Sequence, residues 1–117
     1  MSDIRANTIS DAAGTGPIAL TKQSAAKAWG QPQGNTTLND SFNISSGADN
    51  GTGDYTYTFS NSMSGTYPVS SGDAVSGNAY FCSNKSLSAT AVGVAVHTSA
   101  GAAIDSWHNF TVQGDLA

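Results

Sequence analysis

The stretch Asp40–Met63, DSFNISSGADNGTGDYTYTFSNSM, constrains the fold more than any other part of the chain. In its second half Tyr55, Tyr57 and Phe59 alternate with Thr56, Thr58 and Ser60, and a period of two is that of a β-strand with one face turned to a core. The rings belong inside and the hydroxyls outside. In its first half Phe42 and Ile44 share one face, with Ser41, Asn43 and Ser45 on the other. Between the halves, Asp49-Asn50-Gly51-Thr52-Gly53-Asp54 supplies residues that tolerate positive φ, as a hairpin loop requires. The expectation is two strands folded back on a glycine-rich turn.

The flanking pattern extends this. In Leu87–Thr98, Ser88, Thr90, Val92, Val94 and Val96 alternate with Ala89, Ala91, Gly93, Ala95 and His97. The small residues of that second face predict close packing by another strand or subunit. Ala79–Ser83 reads as a short strand, with Ala79, Phe81 and Ser83 opposite Tyr80 and Cys82, and Asp105–Gln113 as the last strand. Tyr67-Pro68-Val69 reads as an extended edge piece, because Pro68 has no amide proton to donate to a ladder. Ser70–Gly77 reads as a polar loop, and Gly30-Gln31-Pro32-Gln33-Gly34 as a break in regular structure. Short strands at intervals of about ten residues predict an all-β fold, an antiparallel β-sandwich or barrel-like body. That body is expected over 35–117, behind a joint at 30–34 and an extended N-terminal arm at 1–29. Ser24–Trp29 fits either a helical turn or two capped by Ser24 or a strand beginning near Lys27.

The arm carries Ile4, Ile9, Ile18 and Leu20 as its large aliphatics, interrupted by Gly14, Gly16 and Pro17. Ordering backbone costs roughly 1–2 kcal/mol per residue, more than these few side chains offset alone. They are therefore the expected docking residues of a segment that rests on something else.

Charged residues make up 10% of the chain, against about 25% in ordinary soluble domains. Arg5, Lys22, Lys27 and Lys85 form no basic cluster and the pI is near 4.5, which argues against a nucleic-acid partner. No apolar run approaches the ~20 residues of a spanning helix, and membrane insertion is not expected. Met1–Arg5 lacks the apolar core of a secretion signal, so synthesis in a cytoplasm is expected. Cys82 stands alone, which leaves no disulfide within the chain and no cysteine zinc site. Few large side chains for this length predict a thin core, and burial between subunits compensates for it.

Candidate chemistry is sparse. Asp49–Asp54 places two carboxylates and an Asn close together, but Gly51 and Gly53 occupy the third and fifth positions where a calcium loop needs oxygen ligands. A hairpin turn fits better. His97, His108 and Asp105 with a serine would make a hydrolase triad, yet no G-x-S-x-G elbow is present, and the two histidines lack an obvious third zinc ligand. Both are expected to be half-exposed strand histidines. Gly14-Thr15-Gly16-Pro17 is followed by no lysine at Walker spacing. Neither catalysis nor a cofactor is expected. Tyr67, Tyr80 and Trp107 are the candidate contacts with a host-surface glycan or protein, weighed against plain packing of the same rings.

Several runs resemble small tailed-bacteriophage virion proteins of the tail-fibre-like type. They are Arg5–Ser10 (RANTIS), Ala13–Ile18 (AGTGPI), Lys22–Trp29 (KQSAAKAW), Asp40–Ser46 (DSFNISS) and Asp49–Thr56 (DNGTGDYT). The resemblance covers about half the chain and fades after Met63. It departs at Gly30–Gly34, where that group continues as an alternating apolar strand. It implies a non-enzymatic virion component, an arm that docks on other virion proteins and a homotrimeric outer body. Two roles fit that implication, a fibre or receptor-binding module and a capsid decoration protein; a free carbohydrate-binding module is a more distant third.

Overall fold

Tyrosine, phenylalanine and valine at every second position build two central strands, and their apolar faces meet the rest of the core. The computed structural model describes residues 26–65, 69–75 and 79–117. Among these are eight strands and no helix: β1 (Ala28–Pro32), β2 (Leu38–Phe42), β3 (Ile44–Gly51), β4 (Asp54–Phe59), β5 (Val69–Ala74), β6 (Tyr80–Leu87), β7 (Ala91–Thr98) and β8 (His108–Gln113). They form two four-stranded antiparallel sheets, ordered β2-β1-β8-β5 and β3-β4-β7-β6. The all-β, antiparallel expectation holds, in a two-layered, sandwich-like arrangement. Ile4, Ile9, Ile18, Leu20 and Tyr67 lie outside the described residues.

The expected faces of β4 are the observed ones. Tyr55, Tyr57 and Phe59 are buried, while Thr58 and Ser60 are exposed. Val92, Val94 and Val96 of β7 join them, and the other sheet contributes Ala28, Phe110 and Val112. Tyr57 stacks on Phe110 across the two layers at 4.7 Å between ring centroids. A β-carbon at position 30 would lie 2.8 Å from the Phe110 ring, so glycine lets β1 pass close beneath it. In the β3–β4 turn, Gly51 (φ 135°) and Gly53 (φ 65°) take the left-handed conformations that the sequence pattern predicts.

Four expectations are corrected. Gly30-Gln31-Pro32 does not break the chain but continues β1, a strand flanked by β2 and β8. Pro32 is tolerated there because pairing with β8 has already ended at Gly30 and the β1–β2 ladder is irregular beside it. The first half of the hairpin is not one strand either. β2 ends at Phe42 and β3 begins at Ile44 in the opposite sheet, with Asn43 between them at φ 58°. Asparagine is among the few residues that adopt this conformation readily. Its Nδ2 donates to the carbonyls of Lys27 and Asn61, each at 3.0 Å, and its Oδ1 accepts the Asn61 amide at 2.7 Å. Asn43 thus fixes the corner at which the chain changes sheets, and Phe42 is left 51% exposed.

The start of the expected polar loop is β5, paired along β8 from Val69↔Gln113 to Ala74↔His108. It reads as loop because it is an edge strand whose outer face, Ser71 and Asp73, is exposed. Finally, Ser88–Thr90 is a turn between β6 and β7, not part of a strand. The Ser88 hydroxyl accepts the amides of Thr90 and Ala91 at 3.2 and 3.0 Å. The small-residue face of β7 is approached from within the chain, since the Ser86 hydroxyl lies directly over Gly93. Each edge strand carries a charge, namely Asp40, Asp49, Asp73 and Lys85, which discourages edge-to-edge pairing with other chains.

Two substitutions on β4 test the register. Tyr57→Ala should destabilise the fold by about 3–5 kcal/mol, the range for truncating large aromatic core residues. Thr58→Ala, one position away, should change stability by less than about 0.5 kcal/mol. Urea titrations of both variants read the difference directly, and similar losses at the two sites would contradict the faces described.

Candidate functional site

The residues with chemical potential gather in two places, and alternation along β4 decides which goes where. Tyr55 and Tyr57 point inward, where β8 brings His108 across from the other sheet. His108 is fully buried, not half-exposed as its sequence position implied. Its ring stacks on Tyr55 with centroids 4.8 Å apart. The His108 Nδ1 lies 2.9 Å from the Ser106 carbonyl and its Nε2 lies 3.0 Å from the Tyr57 hydroxyl. A carbonyl oxygen only accepts, so Nδ1 carries the proton and Nε2 accepts from Tyr57. Burial holds the imidazole below its ordinary pKa, against the opposing pull of the Ser106 carbonyl.

Asp105 completes a second arm of this network. Its Oδ1 accepts the Gly53 amide and the Tyr55 hydroxyl, each at 2.7 Å. Those two bonds, the amide first, hold its carboxyl below the usual carboxylate range. Burial first, then the hydrogen bond to Asp105 and its charge, push the Tyr55 hydroxyl well above its ordinary pKa, and burial does the same for Tyr57. The partners thus differ from those of a hydrolase triad. Asp105 bonds a tyrosine, both nitrogens of His108 are occupied by Tyr57 and a backbone carbonyl, and His97 sits on β7. Cys82 is half-buried, with its thiol pushed up to about 11 mainly by burial, so little reactive thiolate forms at neutral pH.

The outer face of the β3-β4-β7-β6 sheet holds the second place. A depression of about 390 Å³ is lined by Thr52, Asp54, Ser83, Lys85, Ala95 and His97, among others. Lys85 reaches over β7 to pair with Asp54, and its ammonium holds the Asp54 carboxyl below the ordinary value. A register irregularity between Asn84 and Ser86 sets the position of Lys85. Phe81 is the direct partner of His97 in the β6–β7 ladder and is 59% exposed, so it stands on the same outer face, beside the residues that line the depression. The carboxylates of the Asp49–Asp54 turn have separate partners. Asp49 accepts the Gly51 amide, while Asp54 takes Lys85. Among the described residues, no three of the His, Cys and Asp side chains lie together as a metal site would need.

Of the sequence candidates for surface contact, Trp107 is 47% exposed just before β8, where its carbonyl accepts the amide of the exposed Val75 at 2.7 Å. Tyr80 opens β6 in the other sheet, half-buried and paired with Thr98. Trp107, beside β8 of one sheet, and Tyr80, on β6 of the other, are thus apart. The depression went unread in the sequence because Asp54 and Lys85 are 31 positions apart. The alternation of Phe81 and Ser83 with Tyr80 and Cys82 was its one local signal. No protein-family model matches the chain, and comparisons with curated proteins and with solved structures return no match.

The buried histidine makes stability depend on pH. His108 binds its proton less readily in the folded chain than in the unfolded one, where the pKa is about 6.5. The stabilisation is therefore complete above that pH and is lost as pH falls through it, with a slope of at most about 1.4 kcal/mol per pH unit. Denaturation midpoints between pH 7.5 and 5 should fall for the native chain and stay nearly level for His108→Gln.

Proposed function

We propose that this chain is a non-enzymatic structural protein of a tailed-phage virion, a small fibre-like surface module that docks through its N-terminal segment and meets the host with its β-body. The observation that carries this reading is the placement of its large side chains. Three of its six Phe and Trp residues, Phe42, Phe81 and Trp107, are exposed. In a chain with so few large residues to bury, that is a heavy share left for contact with other molecules. The network of buried His108, Tyr55 and Tyr57 with the exposed Asp105 supports the same reading, because its polar groups satisfy one another and link the two sheets. The resemblance of the N-terminal half to tail-fibre-like virion proteins supplies the setting.

In this reading Ile4, Ile9, Ile18 and Leu20 engage other virion proteins. Deleting Met1–Thr21 should leave the β-body folded by circular dichroism and remove the chain from purified particles when it is expressed during infection. Normal incorporation of the truncated chain would overturn the docking role. The thin core and exposed rings also favour self-association as a homotrimer. Native mass spectrometry should find three copies together, and a monomer persisting at high micromolar concentration would exclude that assembly.

A further inference from the structure

We infer that the depression on the outer face of β4, β7 and β6 is a binding site for an uncharged saccharide, with the Phe81 ring as its stacking platform and Asp54, Lys85 and His97 as its hydrogen-bonding groups. This deepens the proposed function, since it rests on that reading for the biological setting and names the host-surface chemistry the body would meet.

Size is the first ground. A volume of about 390 Å³ lies within the roughly 300–1,000 Å³ of sites that hold small ligands, and it is open enough for one or two sugar rings of a longer chain. Composition of the walls is the second. The floor is formed by Ala95, whose small side chain leaves the outer face low between Asp54 on β4 and Ser83 on β6, its two ladder partners. Around it stand a carboxylate that accepts, an ammonium that donates, an imidazole and hydroxyls that do both. A sugar presents neighbouring hydroxyls that donate and accept together, which is what such a mixed set satisfies.

Charge is the third ground and sets the ligand class. Asp54 and Lys85 pair with each other, so the site offers no uncompensated cation to an anion and no lone carboxylate to a metal ion. Asp54 also stays within 3.4 Å of the Asn50 amide, which helps fix its orientation while the side chain remains partly open to solvent. Phe81 is the fourth ground. Its neighbours Tyr80 and Cys82 turn inward, whereas Phe81 projects out beside His97 with 59% of its surface exposed. An exposed ring on the same face as the depression, beside His97 of its lining, can offer its flat side to the C–H groups of a pyranose while the hydroxyls at the ring's edge reach the charged pair.

The test uses the purified full chain with lactose, maltotriose and chitobiose as neutral probes and sialyllactose as the anionic control. Saturation-transfer NMR and calorimetry should detect at least one neutral probe. Phe81→Ala should weaken that binding about tenfold, as should Asp54→Asn, while Trp107→Ala, beside the other sheet, should leave it unchanged. Phe81 is exposed and Asn retains the shape of Asp54, and thermal melts of both variants check that the fold is kept. Absence of transfer to every neutral probe, preference for sialyllactose over lactose, or unchanged binding by folded Phe81→Ala would each overturn the site. Because these measurements need no particles, their failure leaves the virion reading in place. A chain that binds a sugar yet never enters virions would support the site and overturn the virion reading alone.

Discussion

The hydrogen bond from the Tyr57 hydroxyl to the His108 imidazole is the contact on which the rest of this structure depends. It joins the central strand of one sheet to a central strand of the other, 51 positions apart in the chain. Around it the rings of Tyr55, Tyr57, His108 and Phe110 form a continuous aromatic layer, and aromatic pairs of this kind add about 0.5–1.5 kcal/mol each beyond their buried area. A polar atom left unpaired in that layer would be expensive, by roughly 1–3 kcal/mol. The pairing of Tyr57 with Nε2 and of Nδ1 with the Ser106 carbonyl avoids that penalty. It also selects one tautomer and one face-to-face placement of the sheets.

A core this small has consequences at the surface. Among the described residues, ten hydrophobic side chains are buried in the core, supported by a fringe that includes Leu38, Ile44, Leu87 and Ile104. The corners where the chain changes layers therefore rely on polar groups. Asn43 ties the β2–β3 corner to Lys27 and Asn61, and Asp105 ties the loop before β8 to Gly53 in the β3–β4 turn. These bonds substitute for apolar packing that the composition cannot provide, and they place the turn, and with it Asp54, at the edge of the depression described above. Serine, threonine and asparagine thus have structural roles here that larger apolar residues fill in richer cores.

The two outer faces differ in a way that bears on function. One presents Trp107 beside Val75 at one end and Phe42 beside the half-buried Trp29 at the other, across β1 and β8. The other presents a low floor of small residues crossed by the Lys85–Asp54 pair, with Phe81 exposed on the same face beside His97. A body with rings on both faces and charges confined largely to strand edges and turns suits contact with other molecules through its faces, while its edges stay resistant to unwanted strand pairing.

The sequence by itself determined the class of fold and the inward faces of β4 and β7, because a period of two is local information that survives without knowledge of any partner. Tyr55, Tyr57, Phe59, Val92, Val94 and Val96 were legible for that reason, as were the glycines of the β3–β4 turn. Tertiary structure alone decided which sheet each strand joins, that Gly30–Pro32 continues a strand, and that polar Val69–Ala74 pairs along β8. It also decided that His108 is buried. A histidine enters a core only where a donor and an acceptor meet its two nitrogens, and here one comes from a strand 51 positions away. The depression with Asp54, Lys85, His97 and Phe81 was hidden for the same physical reason. Its groups come from three strands, and only the pairing of β4, β7 and β6 brings them onto one face.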